Sequence, residues 1–531
     1  MKNIKMLTAV LTSTLLVLLV ASGCKKSFLE RIPLDAVTID NFYQTENDLR
    51  QATGALYGSP WFDYNDKVIL FVGDAMSGNL GGGNAGAWNN FAVSSGETGV
   101  NEGWRSLYKI IGHCNMNIIY INTQSAASIP EAAKNSALGE LRFLRAVSYF
   151  YLVQLWGAVP IIEDNRTLVE RPSVPRNTVK DVYRFIINDM RFAAENLRAA
   201  KDAGRVNKWS AEGMLAKIYL TRSGLTAEGT GRGNGTREQV YLDSAKYYAG
   251  DVCRNSGLEL MPVYNDLFKM SNNNNDESLF ALQWVGSTTY GIGNSTQAYY
   301  AAEPKLTGVG DGWGSANTVS IDLFSNKYIS GDTRRKATYM QNGDVYPELL
   351  KASGGYTVTN TTPNLKKYIV GTPADNDNKG VFFMSTGINT YMLRLADVYL
   401  LYAEAICGNA SSTTDADALL YFNKVHTRAG LTTKTGTLTL AEILAERRIE
   451  LAFEGQYWFD LLRQHDINPA QTISMLANQD RGTVSYNATT NTTTYTSKKV
   501  APSEASFKLP YPEADVVTNP LLREAPVAYY K

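Results

Sequence analysis

Apolar residues fall into helical register in two blocks of the chain. Between Glu131 and Trp156, the positions Leu141, Leu144, Ser148, Tyr151 and Leu155 make one stripe, and Phe143, Ala146, Phe150 and Val153 make a second. A helix apolar on two sides needs neighbours on both, so this one is predicted to be buried. Gly157 and Pro160 stop it, and a second helix is expected from about Thr178 to Leu197. The pattern recurs over Ser210 to Arg222 and Gln239 to Ser256. It appears again over Leu395 to Ile406, Ala416 to Arg428 and Leu440 to Leu462. Ala396 and Ala403, seven apart, supply a small-residue strip where another helix can approach closely. Helices that come in pairs predict a mostly α chain built as a tetratricopeptide-like stack, although no clean 34-residue period is present. A stack also suits the length, since 531 residues exceeds the ~250 to 300 at which single compact cores stop growing.

From Pro262 to Asn389 the helical periods vanish while Gly, Asn, Thr and Tyr become frequent. Asn272 to Asp276, Gly308 to Gly314 and Thr357 to Thr362 read as loops, the usual carriers of binding function on a rigid scaffold. The run Gly81 to Gly86 and the Thr-rich stretch Thr489 to Thr496 read as further insertions. The glycine run lacks the Lys and following Ser/Thr of a phosphate loop, and Asn272 to Asp276 lacks the spaced carboxylates of a calcium loop.

The first residues follow another logic. Lys2 and Lys5, an apolar run from Leu7 to Ala21 and then Ala21-Ser22-Gly23-Cys24 describe a secretory signal, too short for the ~20 residues of a bilayer span. A Cys directly after small residues resembles a bacterial lipobox, with Ala21 where Leu is usual. Residues 1–23 are therefore expected to be removed and Cys24 acylated, attaching the chain to a membrane through its lipid. The mature part, 24–531, is expected to be one domain: N-terminal and tetratricopeptide-like helices over about 30–260, a loop-rich ligand-binding insertion over about 262–390, and further such helices with a tail over about 391–531.

Composition removes several function classes. Lys plus Arg and Asp plus Glu are 51 each, so no charge imbalance favours nucleic acid. Beyond Cys24, the cysteines Cys114, Cys253 and Cys407 are odd in number and have no Cys-x-x-Cys spacing. They read as buried thiols in helices rather than disulfides or metal ligands. His113, His426 and His465 are scattered, which argues against a zinc site or a Ser/His/Asp constellation, and no cofactor motif is present.

Several blocks, in order, resemble one family. They are Phe28-Leu29-Glu30-Arg31-Ile32-Pro33, Asn41-Phe42-Tyr43, Ala52 to Tyr57, Trp104-Arg105-Ser106-Leu107-Tyr108 with Asn115, and Glu140 to Pro160 ending in Trp156-Gly157-Ala158-Val159-Pro160. Arg394 to Ala405, Asn423, Arg428 to Leu431, Glu446 to Gly455, Phe459 to Arg463 and Asn519-Pro520 continue the series. On these the chain resembles the SusD/RagB family of outer-membrane nutrient-binding lipoproteins. His426 in place of Arg, Pro510-Tyr511-Pro512 and the ending Ala525 to Lys531 depart from the usual pattern. The resemblance implies four tetratricopeptide-like pairs with a loop-borne site, and a surface lipoprotein without catalytic activity. It further implies a SusC-like TonB-dependent outer-membrane barrel as partner and an oligo- or polysaccharide as cargo. A peptide cargo, as in the RagB branch, a lipid-anchored hydrolase and a purely structural scaffold are the alternatives.

For a hydrolase, Glu446, Glu450 and Glu454 are the conspicuous carboxylates, but four-residue spacing stacks them along one helix. Glycosidase carboxylates face each other across roughly 5 to 9.5 Å. They read as an ion network neutralised by Arg447, Arg448 and Arg394 or Arg428, with Asp397 and Arg394 in the same role. A saccharide binder instead needs exposed flat rings and amides. The candidates are Trp88 with Asn89 and Asn90 after the glycine run, Trp313 within Gly308 to Gly314, and Tyr290, Tyr299 and Tyr300. Family sites draw on an N-terminal loop tryptophan and mid-chain loop aromatics, so the placement is an analogy by region. Trp104, Trp156, Trp209 and Trp458 lie in helical patterns and read as core.

Overall fold

A computed structural model describes residues 42–82 and 85–531; Cys24 and the segment before it lie outside them. Among the described residues ten helices have ten or more residues: α1 (Thr98–Gln124), α2 (Glu131–Trp156), α3 (Val179–Asn196), α4 (Lys208–Ser223), α5 (Gln239–Asn255), α6 (Leu395–Cys407), α7 (Ala416–Arg428), α8 (Leu440–Glu450), α9 (Tyr457–Ile467) and α10 (Pro469–Asn478). None of the helices among these residues is long and apolar enough to cross a membrane. From α1 to α6 each helix packs on the one before it and the one after it, and α6 then receives both α7 and α8. That nearest-neighbour order is the stack expected of helical pairs.

The two-sided pattern of α2 has its predicted consequence: from Ala137 to Trp156 every residue but Arg142 is buried. Gly157 ends it at φ +76°, where a residue with a Cβ is strained. Thr178 caps α3 by accepting from the Asp181 amide, and Trp104, Trp156, Trp209 and Trp458 are all core. Cys114 and Cys407 are buried and Cys253 is half-buried, all three as free thiols.

The predicted helix Leu440 to Leu462 is two helices. The chain breaks over 451–456, with Phe453 at φ +60° and Gly455 at φ +73°. Buried Asp74 holds the break open by accepting from the amides of Phe453 (2.8 Å) and Gly455 (3.1 Å). Glu446, Glu450 and Glu454 do form an ion network; of the expected cations Arg394 and Arg428 take part, Arg447 and Arg448 do not, and Arg334 and Lys367 join it. Arg394 binds Glu454 at 2.7 Å, Glu450 at 3.0 Å and Glu277 at 2.5 Å; Arg428 bridges Glu277 and Glu450; Arg334 reaches Glu446 and Glu450; Lys367 reaches Glu454. Arg447 and Arg448 point elsewhere, to Asp397 and Asp460 and to Asp322. Asp397 is paired with Lys217 and Arg447 rather than Arg394.

Between α5 and α6 the chain makes short turns and two-stranded pieces. Strand β1 (Ser278–Leu282) pairs antiparallel with β4 (Thr390–Arg394), Leu282 opposite Thr390, so one ladder closes the neck of the insertion. Within it, β2 (Val381–Phe382) and β3 (Ser385–Thr386) form a tight hairpin. The Thr-rich stretch is not a loop: β5 (Thr483–Asn487) and β6 (Thr492–Thr496) pair as an exposed hairpin. Asn272 to Asp276 is a turn, held by Asn273 to Gly387 O (2.7 Å) and Asn275 to the Tyr391 hydroxyl (2.6 Å).

Candidate ligand-binding site

Three loops of the insertion bring aromatic rings to the surface. Trp313, 42% exposed, meets Tyr299 edge to face at 5.9 Å and Phe383, 55% exposed, at 5.7 Å. Tyr290, 65% exposed, leans on Phe62 at 4.8 Å, and Phe62 shares the short helix Phe62–Lys67 with Lys67. Lys67 donates to the Tyr299 hydroxyl at 3.3 Å and pairs with Asp66 at 2.5 Å, so this helix joins the Tyr290 and Tyr299 sides.

The glycines around Trp313 explain its presentation. Gly312 adopts φ +111°, and a Cβ on Gly314 would stand 2.5 Å from the Tyr300 carbonyl, so only glycine fits either position. The Trp313 amide donates to Ala298 O and the Gly314 amide to Ala301 O, both at 2.7 Å, pinning the loop while the indole projects outward. Asp311 accepts from the Met384 amide at 2.5 Å, which ties the hairpin bearing Phe383 to this loop. Asn317 donates to Tyr299 O at 2.9 Å from below. The rings thus sit on backbone that is hydrogen-bonded on several sides, a pre-organised surface rather than a mobile one.

The electrostatics are those of a neutral surface with few polar handles. Burial, then the neighbouring Asp66 carboxylate, raises the phenols of Tyr290 and Tyr299 above their ordinary value of 10, so both are neutral donors at physiological pH. Behind Tyr299 lies a cavity of about 60 Å³ with Asn65, Asp66, Ser295 and Thr390 among its walls. Its size and polar walls suit ordered water.

Of the residues singled out in the sequence, Tyr290, Tyr299 and Trp313 are brought together at the surface. Trp88 is not: it is 3% exposed in the short helix Gly86–Asn89, stacked on Phe71 at 6.1 Å, with its ring where a Cβ on Gly99 would come within 2.7 Å. Asn89 is equally buried, its amide directed at the carbonyls of Ala75 and Leu80. Tyr300, 2% exposed, packs on Tyr368. These three are corrected to core positions. Asn90 is exposed but makes no hydrogen bond or ring contact with the cluster. Phe383 and Lys67 were missed. Phe383 had a legible signal, two adjacent phenylalanines in a short segment bounded by Gly380 and Gly387, which reads as a tight turn that leaves a ring exposed.

The Glu446, Glu450 and Glu454 group offers no acid–base chemistry. Burial opposes ionisation of Glu450, but Arg428, Arg394 and Arg334 outweigh it and hold the carboxyl far below its usual range. Glu446 is likewise lowered, burial being overcome by Arg334 and His426. Among the described residues no group of three or more His, Cys, Asp and Glu side chains is placed to hold a metal.

A stack of helical pairs carrying a rigid, loop-borne aromatic surface, with its conspicuous carboxylates locked in ion pairs, defines a binding protein's architecture. The SusD family profile matches residues 227–529, and a profile described as starch-binding, associating with outer membrane, matches residues 82–220. A SusD-like protein of Bacteroides ovatus is 37% identical, with 96% of each chain covered. A crystal structure 37% identical superposes with a TM-score of 0.86 over 92% of this chain and 100% of that one. Another, solved with a xylogluco-oligosaccharide, is 38% identical with a TM-score of 0.83, covering 91% of this chain and 99% of that one. The chain belongs to the SusD family.

Proposed function

We propose that this protein is a lipid-anchored, surface-facing lipoprotein of the outer membrane. In this reading it binds a neutral oligo- or polysaccharide on the aromatic surface of Tyr290, Tyr299, Trp313 and Phe383 and passes it, unaltered, to a SusC-like TonB-dependent barrel. The observation that carries the reading is the exposed Trp313 between Tyr299 and Phe383 on a loop fixed by Gly312 and Gly314. Sugar rings present apolar C–H faces to such rings, and burial of those faces is worth most where the platform is already ordered. Lys67 and the neutral Tyr290 and Tyr299 hydroxyls supply donors for sugar hydroxyls. Family membership and the xylogluco-oligosaccharide bound by a 38% identical neighbour support a glycan as the cargo, and make a decorated β-glucan the first to try.

The test is an affinity-gel and calorimetric screen of the mature protein against a polysaccharide panel, xyloglucan included, and a peptide mixture. Retention by at least one neutral glycan, with no hydrolysis products, is expected. Binding of peptides alone, or release of shortened sugars, would overturn the reading.

A further inference from the structure

Far from the insertion in sequence, α3, α4 and α5 enclose a cleft of about 500 Å³, within the ~300 to 1,000 Å³ usual for small-ligand sites. Lys180, Asp181, Arg184, Arg222, Tyr241 and Tyr530 line it, and it shares no residue with the aromatic surface. Arg222 is only 6% exposed, yet among the described residues its guanidinium makes one hydrogen bond, from Nη1 to Leu225 O (3.0 Å), and no carboxylate lies within 4.0 Å. Its guanidinium lies 4.7 Å from the centre of the Tyr241 ring, itself stacked on Tyr219 at 6.1 Å. Arg184 lies 4.1 Å from the Tyr530 ring and also has no carboxylate partner among the described residues. Lys180 is neutralised by Glu228 at 2.7 Å. The one carboxylate in the wall, Asp181, is occupied by the Thr178 hydroxyl (2.9 Å) and the Tyr529 amide (2.8 Å).

Two guanidiniums thus remain without counter-charge in a concave site, on a chain whose acids and bases are equal in number. A largely buried cation lacking a partner is costly: Arg145, Arg334, Arg394, Arg447 and Arg463, all as little exposed, each have a carboxylate, and the fully buried Arg481 is met by three carbonyls, those of Ala75, Met76 and Asn89, where Arg222 has one. A guanidinium held over a tyrosine ring keeps N–H donors free, in Arg222 those that Leu225 O does not take, and such donors grip a planar carboxylate. Tyr219 and Tyr241 are stacked on each other and covered by Tyr248 and Arg222, which leaves Tyr530 at the wall to meet the apolar face of a sugar ring. We propose that this cleft is a second saccharide site, selective for sugars bearing a carboxylate, with Arg222 and Arg184 pairing the acid.

Calorimetry on the mature protein tests this with a glucuronic-acid-substituted xylo-oligosaccharide and the same oligosaccharide without the acid. The acidic ligand is expected to bind at least about tenfold more tightly, and to weaken as salt rises from about 50 to about 500 mM. Arg222→Gln should weaken it about tenfold or more; Arg184→Gln, at an exposed position that does not endanger the fold, should weaken it in the same direction and leave neutral-glycan binding unchanged. A neutral glycan saturating the aromatic surface should not displace it. The proposal is overturned if the two oligosaccharides bind alike, if both variants fold and bind as wild type, if the neutral glycan competes, or if acetate or sulfate binds as tightly as the acidic sugar. Loss of neutral-glycan binding alone would contradict the function proposed for the aromatic surface and leave this one standing.

Discussion

At the residue scale, two tryptophans in glycine-rich sequence have opposite fates. Around Trp313 the glycines create a turn that lifts the ring out. Before Trp88 they let backbones touch: a Cβ on Gly81 would stand 2.4 Å from Gly482 O and 2.7 Å from Ser320 Cα. Glycine marks unusual backbone geometry, and only the partner strand, hundreds of residues away, decides whether that means exposure or close packing. Trp88→Ala should therefore act as a core truncation, costing about 3 to 5 kcal/mol in a denaturant titration. Glycan affinity of the folded fraction should stay within about twofold of wild type. A Trp88→Ala variant of unchanged stability would contradict its assignment to the core. Gly314→Ala should do the reverse of a neutral surface change, shifting the Trp313 loop against the Tyr300 carbonyl and lowering glycan affinity, read by the same titration that follows wild type.

At the element scale, periodicity located α2 to α7 to within a few residues, because buried helices write their neighbours into the pattern. It joined α8 and α9 because the residues at the break are as apolar as those beside it, and because the acceptor that opens the chain, Asp74, sits in a π-helical segment (Ile69–Met76) remote in sequence. The β1–β4 neck was invisible for the same reason, its strands being separated by the whole insertion. Asp74→Ala would strip an acceptor from two buried amides and from Asn79 and should cost about 2 to 5 kcal/mol by chemical denaturation. An effect below about 0.5 kcal/mol would show that the break does not depend on Asp74.

At the scale of the whole molecule, the ion network and the buried Asp74 set opposite limits on pH. Glu446, Glu450 and Asp397 have folded pKa values below the ordinary carboxylate range, the first-ranking cost of burial being outweighed by their cations. Their stabilisation is present above about pH 4.5 and is lost as pH falls below it. Burial lifts Asp74 to about 6, despite the Asn79, Phe453 and Gly455 donors, so its share is present at low pH and is lost as pH rises through 6. Thermal unfolding should give a highest Tm between about pH 4.5 and 6; a Tm that climbs steadily to pH 8 would contradict this balance. In the function proposed above, attachment is a separate matter of Cys24: Cys24→Ser should leave the protein out of the membrane fraction, since that reading has it held by an acyl chain on this residue.

In the function proposed above, a fixed aromatic surface, not the helical stack, captures the cargo. Isothermal titration of the glycan best retained in the panel, into wild type and Trp313→Ala side by side, tests it most directly. Wild type should bind, and Trp313→Ala should bind at least about tenfold more weakly with its Tm unchanged, as expected for loss of one stacking ring at an exposed site. Equal affinity in the two proteins would place the cargo elsewhere on the molecule.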